Sequence, residues 1–353
     1  MTLSLEQLGW NEELIKQFEP YRAQGYVPAR VAIEDKHFYR LYAECGPLTG
    51  QCSGKILHAS KSPSDLPKVG DWVVIASLEA EGKATIHEVM PRKSSLSRKL
   101  TGREVQEQIL VTNIDRAFVV QALDETFNIP RLERMLVMVR EGGAEPVIVL
   151  NKLDLCDDVK ARVAEAEKAA GDAPVLTTCA ITCKGIKGIK KLIGKRDTVV
   201  FFGTSGVGKS TLINDIYGED VLPVGEVRDE DSKGRHTTTW RELIPLPQGG
   251  LVIDTPGMRE FYIWLADEGL NRAFEDIDSL AVGCHFRDCT HTKEKKCAVL
   301  DARTAGTINE ERYQSYIKLS KEQKFLKEVK RQKGWKTREK SSRVLHRVFN
   351  KGG

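Results

Sequence analysis

No stretch of this sequence is apolar for long enough to cross a membrane. Its longest hydrophobic runs, RAFVVQAL and TVVFF, stop far short of the ~20 residues a spanning helix needs. The opening MTLSLEQLGWNEEL is acidic and amphipathic where a secretory leader would be basic and then apolar, so no signal peptide is expected. A disulfide framework is missing as well. Of eight cysteines, five are scattered and three crowd with histidines into CHFRDCTHTKEKKC, which fits a reducing cytoplasm and one metal site. There is no large net charge, only +4 over 353 residues, so any charge argument must be local. At roughly 100 to 200 residues per domain, that length implies two or three domains.

What is present divides along the chain. Residues 1–24 read as a short helix, with Leu5, Leu8, Ile15 and Phe18 as apolar positions before Pro20 and Gly25. From Tyr26 to Pro91, short alternating runs (FYRLYA, DWVVIA, ATIHEV) are broken by Gly, Pro and Asp, which predicts a small antiparallel barrel or sandwich, an OB-fold first. In HFYRLYA, Phe38, Arg40 and Tyr42 share one face and Tyr39, Leu41 and Ala43 the other, so one side can stack bases. After the basic linker PRKSSLSRKL, buried-strand runs alternate with helical patterns. A helix starts near Asn128 and Pro130 with Leu132, Met135, Leu136 and Val139 as its stripe, and another covers 158–171. That alternation predicts an α/β domain with a mainly parallel sheet.

The phosphate-binding signature is strong because of its context. Gly203, Gly208, Lys209 and Ser210 match G-x-x-x-x-G-K-[ST] between the apolar run ending at Phe202 and the helical STLINDI. The backbone of Gly203, Thr204, Ser205, Gly206, Val207 and Gly208 can cradle phosphates. Lys209 reaches the terminal phosphates, Ser210 is a magnesium ligand, and Thr211 is the next nucleotide-binding residue. Guanine is read by VLNKLDL, in which Asp154 can accept two hydrogen bonds from the N1–H and exocyclic amine of guanine, a donor pair adenine lacks. Asn151 and Lys152 support the base and the neighbouring loops. In LVIDTPG, Asp254 is placed to hold magnesium through water and Gly257 to sense the γ-phosphate. Among Thr237, Thr238 and Thr239 in the preceding loop, Thr238 is the favoured magnesium ligand. The glutamine that positions water in Ras-type enzymes is absent, since Met258 takes its place; His236 is the candidate for that role.

The base-binding piece precedes the phosphate-binding piece, the reverse of the usual order. Circular permutation, with KKLIGKRDTVVFF as the join, keeps the site while changing the order of its parts.

Taken together, PKVGDWV, PRKSSLSRK, VLNKLDL, GTSGVGKSTLIN, GRHTTT, DTPGMREF and CHFRDCTHTKEKKCAV resemble the circularly permuted, ribosome small-subunit-dependent GTPases of the RsgA (YjeQ/YloQ) family. The resemblance implies an N-terminal OB-fold β-barrel, a circularly permuted P-loop GTPase domain and a C-terminal α-helical zinc-binding domain. It also implies a role in late maturation of the small subunit, which stimulates GTP hydrolysis. The base loop that relatives write Ser-Ala reads Cys179-Ala180, and Cys183 stands where glycine is common.

Cys284, Cys289, His291 and Cys297 supply three thiolates and an imidazole, enough for a closed, structural zinc site; His285 is the competitor for His291. Beyond them a tail with few acids carries Lys318, Lys321, Lys324, Lys327 and Lys330, which favours RNA over membrane. The expected division is a helical extension (1–25), OB-fold (26–92), linker (93–108), permuted GTPase domain (109–275) and zinc-binding domain with basic tail (276–353). The expected protein is a cytoplasmic monomer that uses GTP/GDP, Mg2+ and one Zn2+ and binds the small ribosomal subunit through its rRNA. The alternatives are a nucleotide-dependent RNA-binding adaptor and a translation regulator on mature ribosomes.

Overall fold

A computed structural model describes residues 3–35, 38–100, 106–222, 241–254, 273–286, 288–325 and 328. The first helix, α1 (Glu12–Arg22), is shorter than the periodicity predicts. Asn11 caps it by accepting from the Leu14 amide, which fixes its start, and Leu5 and Leu8 lie in the turns ahead of it. Pro20 sits inside the helix and does not end it. Trp10 packs edge-on against Phe18 and Trp72, with centroids 5.7 and 4.6 Å away, so this extension is held to the barrel by aromatic burial.

Five strands close into that barrel: β1 (Val27–Glu34), β2 (Tyr39–Ala43), β3 (Gly46–Cys52), β4 (Trp72–Leu78) and β5 (Lys83–Val89). They pair in the order β1-β2-β3-β5-β4 and back to β1. β3 runs parallel to β5 and the other pairs are antiparallel, with helix α2 (Gly54–Ala59) between β3 and β4. This is the OB-fold connectivity. The period of two is visible in β2, where Tyr39, Leu41 and Ala43 are buried while Arg40 is exposed and Tyr42 half-buried. The aromatic content of the outward face is therefore Tyr42 beside Arg40.

A buried ion pair locks the barrel to the segment just beyond β5. Asp71, fully buried, accepts from Arg92 through both carboxylate oxygens, at 2.8 and 2.7 Å. The same guanidinium donates to the carbonyls of Ser64 and Leu66. Arg92→Ala leaves Asp71 charged, buried and short of its partner, so about 3–5 kcal/mol of barrel stability should be lost. Denaturant unfolding followed by tryptophan fluorescence, with Trp72 buried between the barrel and the N-terminal extension, checks it; a loss under about 1 kcal/mol would mean the pair is effectively solvated.

The stretch read as a linker carries β6 (Ser95–Leu100) and β7 (Gln106–Thr112), an antiparallel pair separate from the main sheet. Next in the chain is the α/β sheet, built from β8 (Arg116–Ala122), β9 (Glu145–Asn151), β10 (Val175–Thr177), β11 (Thr198–Phe202), β12 (Glu242–Pro245) and β13 (Leu251–Asp254). Their spatial order is β10-β9-β8-β11-β13-β12, parallel except for β12. Both faces are covered. On one face, Ala117 and Val119 of β8 join α3 (Ile129–Glu141) and α4 (Val159–Ala170). On the other, Phe118 and Val120 join α5 (Ile186–Lys191) and α6 (Lys209–Tyr217). Alternate residues of one strand thus feed two cores, which is why RAFVVQAL is apolar almost throughout. Asn128 caps α3, and Leu132, Met135, Leu136 and Val139 are fully buried.

The permutation is explicit in this order. β8, β9 and β10 come first in the chain, yet β11 inserts beside β8 and places the phosphate loop centrally. β12 also touches the barrel, through the pairing of Glu242 with Ile33 of β1. The C-terminal region consists of helix Glu275–Ala281, the cysteine-rich loop, helix Ala298–Thr304 and a helical stretch over 310–325. Among the described residues no helix is long and apolar enough to cross a membrane.

Candidate nucleotide site and metal centre

The carboxyl ends of β8, β9, β11 and β13 lie along one edge of the parallel sheet; β8, β9 and β11 each lead into a loop there, and β13 ends at Asp254. The β11 loop turns through Gly206 (φ +81°) and Gly208 (φ +93°) into α6. A side chain at Gly208 would bring its Cβ to 2.3 Å from Asn151 Nδ2, so the left-handed backbone and close packing both require glycine. Asn151, 1% exposed, is the junction of three loops. Its Nδ2 donates to the Val207 carbonyl at 2.9 Å, and its Oδ1 accepts from the Thr178 hydroxyl at 3.0 Å. The base-binding and phosphate-binding pieces, reversed in sequence, are therefore physically tied.

Lys152 comes next, in a left-handed conformation (φ 61°), and donates to Asp124 Oδ2 at 3.0 Å, beyond the end of β8. Burial alone would raise the Asp124 carboxyl, but bonds from Thr126 and Lys152 outweigh it and hold it below its ordinary range. Asp154 is exposed and accepts from the Cys179 thiol at 3.2 Å. Cys179 and Ala180 open a short turn that closes at Cys183 (φ 54°), an arrangement in which glycine would be unstrained.

Lys209 is buried at the other end, its Nζ donating to the carbonyls of Gly203 and Thr204 at 3.1 and 2.8 Å. Burial lowers its pKa to about 8, against the opposing pull of Asp254. Asp254 is itself raised, by burial first, with Lys209 opposing and Glu242 adding to the shift. Thr204, Ser210 and Thr211 are half-buried around the loop, while Ser205 and Gly206 are exposed. His236, Thr238 and Gly257 lie outside the described residues. Sequence reading passes over Asp124 and Thr178. The first is signalled only by its place after a buried strand, the second by standing directly before Cys179-Ala180.

The metal candidates come together without His285. Ligand atoms of Cys284, Cys289, His291 and Cys297 all lie within 4.8 Å of one another. Cys284 and Cys297 sulfurs are 3.8 Å apart, and His291 Nδ1 is 3.5 and 3.4 Å from them. A tetrahedral zinc with Zn–S of about 2.3 Å and Zn–N of about 2.0 Å requires edges near 3.8 Å (S···S) and about 3.5 Å (S···N). The donor set fits that ion. His285 is exposed, with its ring edge-on to Phe286 at 4.9 Å.

Comparison with known proteins decides the family. The RsgA GTPase family model matches residues 89–264. A curated relative from Opitutus terrae, a small ribosomal subunit biogenesis GTPase RsgA, is 41% identical over 333 residues, covering 92% of this chain and 90% of its own. The chain belongs to the RsgA GTPase family. A second relative, from Lactiplantibacillus plantarum and named small ribosomal subunit biogenesis GTPase RsgA 2, is 39% identical and covers 99% of this chain and 96% of its own. Among solved structures, YjeQ from Thermotoga maritima superposes with a TM-score of 0.64 at 28% identity, covering 84% of this chain and 98% of that one. YloQ, described as a circularly permuted GTPase, gives 0.58 at 26% identity, covering 87% and 96%. Like other RsgA GTPases, the chain takes guanine nucleotide and hydrolyses GTP to GDP and phosphate.

Proposed function

We propose that the chain is a GTP-hydrolysing assembly factor for the small ribosomal subunit, stimulated by that subunit and held to it through rRNA. The observation that carries the reading is the Asn151 junction, whose two hydrogen bonds tie the guanine and phosphate loops together; relatives across most of the chain are named small ribosomal subunit biogenesis GTPases. Asp154 reads the base, its orientation held by Cys179, with Ala180 beside it. Asn151 and Lys152 fix the loop. The amides from Gly203 to Gly208 and the Lys209 ammonium hold phosphates, while Ser210, Thr211 and Asp254 are placed around them, Ser210 and Asp254 to hold magnesium. A bound magnesium ion supplies charge neutralisation at the phosphates. His236 is the water-positioning residue, Thr238 a further magnesium ligand and Gly257 the γ-phosphate sensor.

Cys284, Cys289, His291 and Cys297 hold a structural zinc ion, and the rest of the C-terminal module is arranged around them. Lys318, Lys321 and Lys324 are exposed on the helical stretch whose other side buries Tyr313, Tyr316 and Ile317. Three cations in a row on a packed helix suit a phosphate backbone. Lys327 and Lys330 lie outside the described residues. The barrel, the permuted GTPase domain and this module are taken as the three working units, acting as a monomer in the cytoplasm. Multiple-turnover hydrolysis with and without isolated small subunits tests the reading. Acceleration is expected, with sedimentation on subunits under a non-hydrolysable GTP analogue and release under GDP; hydrolysis indifferent to subunits would reject it.

Lys209 gives the site a pH signature. In the free protein its pKa is lowered to about 8, and phosphate oxygens must raise it again. The bound value is then the higher one, so this contribution to affinity is complete below pH 8 and fades as pH rises above it. Calorimetry of GDP binding at pH 8 in buffers of different ionisation enthalpy should show uptake of about half a proton. No uptake would mean that Lys209 is already fully charged before binding.

A further inference from the structure

The C-terminal module meets the GTPase sheet across α3, and one guanidinium joins three separate pieces of chain there. Arg312 Nη1 donates to Glu133 Oε1 of α3 at 2.6 Å. Its Nε and Nη2 donate to the two oxygens of Asp276 at 2.6 and 2.7 Å, and Nη2 also donates to the Ala273 carbonyl at 2.9 Å. Its face lies over the Phe274 ring, 4.8 Å from the centroid.

Each direction from this junction leads to a functional element. Tyr313, the next residue, donates its hydroxyl to the carbonyl of His291, a candidate metal ligand, at 2.7 Å. Glu133 sits on the helix that packs on β8 and β9, the strands that lead to Asp124 and Asn151. A second pair, Arg134 to Glu322 at 2.8 Å, doubles the link from α3 to the lysine-bearing stretch.

The chemistry makes this junction resistant to small adjustment. Glu133 is 2% exposed; burial pushes its carboxyl up, and bonds from Ser315 and Arg312 pull against that shift. The carboxylate cannot swing out to water to track a moving partner. Displacing the 310–325 stretch from α3 therefore breaks charge-assisted bonds outright and strands a buried acid. Such an interface favours discrete arrangements over gradual ones.

We infer that Arg312 is the positioning residue that couples the C-terminal module to the nucleotide site, so that partner contact at the module alters hydrolysis and nucleotide state alters the module. The stimulated half of this coupling rests on the proposed role at the small subunit. The nucleotide-to-module half does not, because it is read in the free protein, between its GDP-bound and GTP-analogue-bound states, with no subunit present.

Two measurements on the full-length protein test it. Arg312→Ala should keep its metal and its unstimulated turnover within about twofold, while stimulation at saturating small subunits falls about tenfold or more with the KM for GTP unchanged. Hydrogen exchange in residues 310–325 should differ between GDP and a non-hydrolysable GTP analogue in the wild type, and that difference should vanish in the variant. Arg312→Lys, which keeps the charge but loses the fork, should fall between the two. Full stimulated turnover with only weaker subunit binding would overturn the inference, as would no nucleotide-dependent exchange in the wild type. If Arg312→Ala fails to fold, Glu133→Gln carries the same readouts. A wild type that subunits do not stimulate rejects the proposed role alone, and the exchange comparison still decides the coupling.

Discussion

Stripping the proposed zinc ion with a chelator, or replacing Cys297 by Ser, should unfold the C-terminal module and leave the GTPase sheet standing. Helices Glu275–Ala281 and Ala298–Thr304 have seven residues each, too short to persist without tertiary support. The apolar support, Phe274, Ile277, Val299, Ile308, Tyr313, Tyr316 and Ile317, is the edge of the same core cluster that holds the buried face of α3, and Cys297 lies within it. In small modules of this kind a bound zinc contributes about 10–16 kcal/mol of apparent folding free energy, as much as burying all of those side chains supplies, so its loss removes about half of what offsets the ordering entropy. Without it, the thiols and the His291 ring are left crowded within one small space. Metal analysis should give one zinc per chain for the wild type and for His285→Ala, and a sharp loss for Cys297→Ser. Hydrogen exchange over 273–325 should approach unprotected rates in the stripped protein. Affinity for GDP should change by no more than a few-fold, because Asn151, Asp154 and Lys209 are held by sheet loops. Protection that survives chelation would mean that packing alone holds the module.

Local patterns carry most of the fold, and contacts across long separations carry what is hidden. In the barrel β2, β3 and β5 alternate in burial, in the parallel sheet β8 and β11 do not, and both signals lie within a few residues. The permutation is legible because VLNKLDL and the phosphate loop are short motifs whose order can simply be read. By contrast, nothing adjacent to Ile33 announces its pairing with Glu242, and nothing near Arg92 announces Asp71. The N-terminal helix reads too long because Leu5 and Leu8 share its apolar spacing while packing from a turn, and because Asn11 caps the chain only once Leu14 is helical. PRKSSLSRKL reads as a linker since its charges mask a hairpin strand. At the nucleotide site the motif residues are visible, but Asp124 and Thr178, which orient Lys152 and Asn151, are single polar residues with no motif around them. Arg312 is one basic residue in a basic region.

Asp154→Asn should cost the site its preference for guanine, by about a hundredfold or more in affinity for GDP. In its proposed role the carboxylate accepts two hydrogen bonds from the N1–H and exocyclic amine of guanine, and losing such a pair in a site built for it is worth several kcal/mol. The amide offers one acceptor and one donor, and Cys179 decides how they are disposed. Its thiol donates to Asp154 Oδ1 at 3.2 Å, so the asparagine oxygen is drawn toward the sulfur and its NH2 is presented to the base. Two donors then face each other at guanine. Xanthine, which carries a carbonyl where guanine has its amine, can accept that NH2, so xanthosine diphosphate should gain affinity as GDP loses it. The phosphate grip proposed for Lys209 is the same in both cases, which makes the comparison a measure of the base alone. Competition binding with GDP, xanthosine diphosphate and ADP reads the result. Undiminished GDP affinity would place the base away from Asp154, whereas reversal toward xanthine, weakened by Cys179→Ala, would show the thiol setting the orientation of the group that reads it.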